Sequence, residues 1–156
     1  MKTTLILVGK TTSKHFAAVI DDSVERIGHY MPFAVAVIPE LKNTKSLSEE
    51  QQKEREGELI LQRLKPADTV VLLDERGTES SSIKFAQWLQ RKQASAKHLV
   101  FVVGGPYGFS KAVYDRANEK ISLSQMTFSH QMIRLIFTEQ LYRACTIIKG
   151  EPYHHE

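Results

Sequence analysis

Apolar positions along the chain follow two periods. Thr3–Val8, Phe33–Ile38, Thr69–Leu73 and Leu99–Val103 are short runs with few or no polar interruptions, and Ile121–Leu123 is a shorter one. Runs of this length predict strands, and the nearly all-apolar ones predict strands covered on both faces. Between them the period changes. Phe16, Val19, Ile20, Val24 and Ile27 recur at 3, 1, 4 and 3 residues, one face of an amphipathic helix from Ser13 to about Ile27. Ser46 followed by Glu49 has capping-box spacing for a helix running to about Leu64, stopped by Pro66. The first half of that helix, Glu49 to Glu58, is so charged that it is expected to be mostly solvated. Ser80–82 offers a cap for a helix through Ile83, Ala86, Leu89 and Arg91, and Ser110 one for a short helix to about Glu119. A last helix spans roughly His130 to Ile148, with Gly150 as a left-handed cap. Five strands alternating with four or five helices predict an α/β fold with a mainly parallel sheet flanked by helices, one domain over residues 1–156.

The composition fits an ordinary globular chain: 42% hydrophobic, 25% charged. The longest apolar run is six residues, against about twenty for a bilayer span. Gly9, Lys10 and Thr11 cut the first apolar stretch too short for a signal peptide, and Cys145 is the one cysteine. Both features lead to the expectation of a cytoplasmic protein without membrane association. The net charge of +3 conceals an asymmetry, because residues 83–120 carry 7 basic and 2 acidic side chains. Such a block is a mild pointer to nucleic acid, although on charge alone a solvated helix face is the commoner reading.

In open α/β sheets ligands lie beyond the carboxyl ends of the strands. Three such ends stand out: Leu73 to Gly77, Gly104 to Gly108, and Leu123 to Phe128. Gly104-Gly105-Pro106-Tyr107-Gly108 offers bare backbone to a ligand, but is neither the Gly-x-Gly-x-x-Gly dinucleotide fingerprint nor a Walker loop. That weighs against a nucleotide-dependent oxidoreductase. His154 and His155 have no convincing set of companions for a metal site, so none is expected. His130, at a helix start, reads as a capping or packing residue, and Cys145 as a small buried hydrophobe. The final helix is apolar over most of its circumference, as in a helix deeply buried or shared with a second subunit. Arg134, Glu139 and Arg143 interrupt it, and Glu139 and Arg143 are spaced to pair on one face.

Six blocks in order carry a resemblance over the whole chain. They are Leu73-Asp74, Gly104 to Gly108, Leu123 to Phe128, His130 to Arg134, Glu139 to Ala144, and Pro152-Tyr153-His154. Together they resemble the RlmH family, small SPOUT-class methyltransferases of bacterial large-subunit ribosomal RNA. The resemblance implies a SPOUT-type fold with a deep C-terminal trefoil knot, a feature too rare to be expected otherwise. It implies a homodimer that uses S-adenosylmethionine (SAM) to methylate N3 of a pseudouridine in 23S rRNA, near the decoding region of the assembled ribosome. Two other outcomes stay open: a different RNA position, or a ribosome-binding protein without catalysis.

Carried over by position, the expected cofactor residues are Leu73, Gly104, Leu123, Ser124, Gln125, Met126, Thr127 and Phe128. Leu73, Leu123, Met126 and Phe128 would form an apolar slot for adenine, with loop backbone at its edge. N3 of pseudouridine is an imide N–H whose proton must leave before or during attack. His154 and Glu139 are the candidate bases, with Arg143 and Tyr153 placing the base or stabilising the imide anion. The tail Pro152 to Glu156 resembles the family's active-site tail, thought to reach a site at the dimer interface. One residue departs from the pattern: many members carry Pro-Tyr-His-Arg-Glu, and this chain has His155 in the arginine position. A histidine carries charge only when protonated. Activity is therefore expected to fall more steeply above neutral pH than in His155→Arg; superimposable pH profiles would contradict this. With no added RNA-binding domain, recognition is expected to rest on ribosome shape, with Lys84, Arg91, Lys92, Lys97, Lys111, Arg116 and Lys120 as candidate phosphate contacts.

Overall fold

The computed structural model describes residues 1–155. The strands are β1 (Lys2–Val8), β2 (Phe33–Ile38), β3 (Thr69–Glu79), β4 (His98–Val103) and β5 (Glu119–Ser122). The α-helices are α1 (Lys14–Gly28), α2 (Glu49–Gln62), α3 (Ser82–Ser95), α4 (Lys111–Arg116) and α5 (Met132–Lys149). The strands form one sheet in the order β2-β1-β4-β3-β5, and every pairing is parallel. One face packs Leu5, Leu7, Val71 and Phe101 against α1, α3 and α5 through Ile27, Leu89, Phe137 and Leu141. The other packs Ile6, Val70, Leu72 and Val102 against α2 and α4 through Ile60 and Val113. Burial on both faces is why the central strands are almost wholly apolar.

The predicted elements are all present, with several boundaries moved for identifiable reasons. Helix α2 is capped by Ser48, not Ser46. Ser48 Oγ accepts from Gln51 N at 3.1 Å and Gln51 Oε1 from Ser48 N at 2.9 Å, while Thr44–Ser46 forms a 3₁₀ turn. In α1 the buried stripe is Ile20, Ser23 and Ile27, and Val19 is 48% exposed. Strand β3 continues through the expected loop Asp74–Gly77, because a register shift lets both Leu73 and Thr78 pair with Ile121. Helix α4 stops at Arg116 because Asn118 bridges to β3, its N–H donating to Val70 O at 2.9 Å and its Oδ1 accepting from Val70 N at 2.8 Å. This starts β5 two residues early. Helix α5 begins at Met132, whose N–H is met by Ser129 Oγ at 3.0 Å, and ends at Gly150 with φ of 71°.

The path into α5 positions the site. The chain leaves β5 at the sheet edge and crosses the ends of β3 and β4 to reach the exit of β1. There Gln131 Oε1 accepts from Thr12 N at 2.8 Å and its Nε2 donates to Lys10 O at 3.1 Å. One turn on, Arg134 is 0% exposed and donates to Val8 O (2.7 Å), Gly9 O (2.9 Å), His130 O (2.9 Å) and Thr11 Oγ1 (3.2 Å). No residue from Met132 to Ile148 is fully exposed, since α5 lies between α1 and α3 with the tail laid over it. Cys145 is buried within it, and burial pushes its thiol up to about 12.

Candidate active site

The three expected segments meet in one cleft of about 720 Å³, beside Leu73–Arg76 in the middle of β3 and beyond the carboxyl ends of β4 and β5. Its floor is the bare backbone of Gly104, Gly105 and Gly108. One wall is Leu73 to Arg76 with Tyr114, the other Ser122 to Ile133, and Glu49 and Lys53 of α2 stand at the rim. The walls are linked: Thr127 Oγ1 donates to Glu75 Oε2 at 2.6 Å. Tyr114 donates its hydroxyl to Asp74, and burial together with that carboxylate pushes the phenol up to about 12.

Seven of the eight expected cofactor residues line this cleft: Leu73, Gly104, Leu123, Ser124, Met126, Thr127 and Phe128. Gln125 shares their loop, but it is exposed and does not line the cleft. Met126 is 77% exposed, so it stands at the rim and not in a buried slot; Ser124 Oγ accepts its N–H at 3.0 Å. Ile133 adds apolar surface that the motif comparison did not single out. His130 is a cleft residue too; Ser129 supplies the cap that sequence reading gave to His130. Burial, seconded by the Arg134 charge, holds the His130 imidazole below its ordinary range. The cleft suits an adenosine-type ligand. Apolar side chains line it for a base, and Gly104 is already in contact distance of Phe109, where a Cβ would meet the ring at 3.2 Å.

A second cluster lies further along α5. Arg143 Nη2 donates to Glu139 Oε1 at 2.6 Å, and Arg143 Nη1 to His154 Nδ1 at 3.1 Å. Tyr153 Oη donates to the same Glu139 oxygen at 3.0 Å, while Gln140 Nε2 donates to its other oxygen at 3.1 Å. The Arg143 guanidinium stands 4.8 Å from the centre of the Tyr153 ring, whose other neighbour is Tyr142 at 4.8 Å between centroids. All four expected catalytic residues are thus joined in one network, with His154 attached through Arg143. Guanidinium has donors only, so His154 must accept at Nδ1 and carry its proton on Nε2. In this arrangement Glu139 accepts two donors at Oε1 and one at Oε2, which leaves Oε2 a free lone pair, while His154 Nδ1 is engaged by Arg143. The tail is rooted by Tyr30, which donates to Glu151 Oε2 at 2.8 Å. His155 is exposed, and Glu156 lies outside the described residues.

The two clusters are separate within one chain. Ile133 lines the cleft, and Arg143 follows ten residues later on the same helix, about 15 Å along its axis. Among the described residues no group of three His, Cys, Asp or Glu side chains could hold a metal ion, and no helix is long and apolar enough to cross a membrane. Of the seven basic residues expected to meet phosphate, Arg116 is occupied with Lys65 O, Asp68 O and Asn118, Lys92 with Glu119 and Lys111 with Asp115. Lys84, Arg91, Lys97 and Lys120 are exposed.

The glycine-floored, partly apolar cleft lies where ligands bind in open α/β sheets. The family described as "Predicted SPOUT methyltransferase" matches residues 1–154, and the chain belongs to that family. It is 62% identical over 157 residues to "Ribosomal RNA large subunit methyltransferase H" of Bacteroides fragilis, with 100% of both chains covered. Proteins of the same description from Phocaeicola vulgatus and Flavobacterium johnsoniae are 63% and 54% identical, again over 100% of both chains.

Proposed function

We propose that this chain is the SAM-dependent methyltransferase that places a methyl group on N3 of a pseudouridine in 23S rRNA, acting as a cytoplasmic homodimer on the assembled ribosome. The observation that carries the reading is the cleft, where seven residues expected at a SAM site from motif position alone line a single cavity at the strand exits. The full-length similarity to proteins described as large-subunit rRNA methyltransferases supports the substrate class. Exposed Lys84, Arg91, Lys97 and Lys120 supply charge for phosphate. The family's trefoil knot belongs to the same reading, and the ties of Gln131 and Arg134 to the β1 exit support it.

Leu73, Leu123, Phe128 and Ile133 would hold the adenine, and Gly104 and Gly105 would let the rest of the cofactor lie against main chain. When bound, SAM supplies a methyl group on a sulfonium, activated for transfer to nitrogen. The chain's own part is to hold the target imide in line and deal with its proton. Glu139, Arg143, Tyr153 and His154 form a unit for this. Arg143 offers positive charge to the imide anion; Glu139 Oε2, met only by Gln140, keeps a lone pair to accept a proton, whereas His154 Nδ1 gains one only when the tail shifts away from Arg143. Because the unit lies about 15 Å along α5 from the cleft wall, it completes the cleft of a partner subunit and not its own.

The test is incubation of the protein with ribosomes and methyl-labelled SAM, followed by mass-spectrometric mapping of the modified nucleotide. Label on N3 of one 23S pseudouridine is the expected result. Label at another position would assign a different target, and no incorporation would leave a ribosome-binding protein. A short isolated hairpin carrying the same pseudouridine is expected to be methylated poorly, because exposed lysines and arginines on a small domain read shape rather than sequence.

A further inference from the structure

Helix α2 presents charged residues to solvent over most of its first ten positions, with one exception. Glu56 is 5% exposed, although nothing in the charge pattern of Glu49–Glu58 marks it out. Two bare positions create its place. Gly57 lets α2 press against α4, where a Cβ would fall 2.4 Å from Ser110 Oγ; this carries residue 56 beneath the glycine loop. Above it, Gly105 leaves room for the carboxyl, where a Cβ would fall 2.4 Å from Glu56 Oε1. The carboxyl therefore lies directly under the floor of the cleft. Its Oε2 accepts from Gln52 Nε2 at 3.2 Å, while Oε1 is buried without a hydrogen-bond partner among the described residues.

A buried acceptor left open is unusual in a folded protein, since such groups are nearly always matched. If Glu56 served only the fold, an apolar side chain would fill the same space without burying a carboxyl. Burial already pushes this carboxyl up, with Glu40 adding to the effect and Gln52 opposing it. What the open oxygen faces is Gly105, on a loop whose backbone lines the cleft.

We propose that Glu56 is a positioning residue for the cofactor loop, its open oxygen accepting a backbone N–H of Gly104, Gly105 or Tyr107 in the cofactor-bound protein. The proposal rests on the reading of the cleft as a SAM site. Glu56 touches no reacting atom. It acts through Gly105, holding the floor of the cleft in the shape that receives the nucleoside.

The experiment measures SAM binding by calorimetry and thermal melting for wild type, Glu56→Met and Glu56→Gln. Methionine fills similar space but offers the loop no acceptor oxygen. The expected result for Glu56→Met is a SAM Kd raised about tenfold with the melting temperature unchanged or raised, a combination that a merely structural role does not give. The Gln52 amide can turn to accept from the new amide, which leaves the oxygen of Glu56→Gln to the loop, so that variant is expected to recover most of the affinity. The proposal is overturned if Glu56→Met binds SAM within twofold of wild type, or if Glu56→Gln binds no better than Glu56→Met. A wild-type protein that binds no SAM would instead remove the reading of the cleft itself, so the two failures are distinguishable.

Discussion

Arg134→Met is expected to lower the stability of the fold by about 3 kcal/mol, roughly 6–12 °C in melting temperature for a chain of this size. Arg134 carries no exposed surface, and its guanidinium donates to three backbone carbonyls and one hydroxyl. Methionine fills similar space but donates nothing, so Val8 O, Gly9 O and His130 O each lose a charged donor. An orphaned buried acceptor costs roughly 1–3 kcal/mol. Part of the total is offset, because burying a cation is itself costly; the depressed guanidinium shows the same burial at work. Arg134→Lys should fall in between, since an ammonium keeps the charge but cannot spread donors across three carbonyls as a planar fork does. The loss should also reach the cleft, because Arg134 holds the turn that bears His130 and Ile133. Thermal melting and SAM calorimetry on both variants check this; a melting temperature for Arg134→Met within a degree or two of wild type would contradict it.

Arg134 also illustrates which parts of the molecule were legible beforehand. The strands were, because a parallel sheet buried on both faces demands unbroken apolar runs, and Val70–Leu72 and Leu99–Val102 can be little else. Several helix starts were, because a serine before an apolar repeat has one common use: Ser81 and Ser110 cap as expected, and the helix read from Ser13 has that serine as its cap. What failed was whatever depends on distant chain. The continuation of β3 past Leu73 exists only because β5 offers Ile121 twice, and no local pattern carries that information. Ser46 and Ser48 compete as caps two residues apart, and each has a suitable partner three positions later, so spacing alone cannot choose. Arg134 read as an interruption of an apolar helix, and Glu56 as one charge among many; each is buried by a fit to glycines or carbonyls elsewhere in the chain. The cleft was legible because its residues sit in contiguous motifs at strand ends. Its separation from the Glu139–Arg143 cluster was not, because a motif has no length along a helix until the helix is built.

That separation yields the second large effect. Arg143→Met is expected to lower methyl transfer by about two to three orders of magnitude, the usual loss when a preorganised charged donor is removed from a developing anion. SAM affinity should stay within twofold, because Arg143 does not line the cleft, and the fold should hold, because its side chain is 24% exposed. Arg143→Lys should recover little, since the guanidinium contacts Glu139 and His154 through different nitrogens and lies against the Tyr153 ring. Mixing then tests how the two clusters combine. Gly104→Val, whose side chain would press on Phe109, should abolish SAM binding and leave the Glu139–Arg143 cluster intact. If each cluster serves the cleft of its own chain, a dimer of one Arg143→Met and one Gly104→Val subunit has two broken sites. If each serves its partner's cleft, one site in that mixed dimer carries both defects and the other carries neither. Activity regained on co-refolding two inactive variants is therefore the expected result, and it can arise only when the Arg143 cluster and the SAM cleft of one site belong to different subunits.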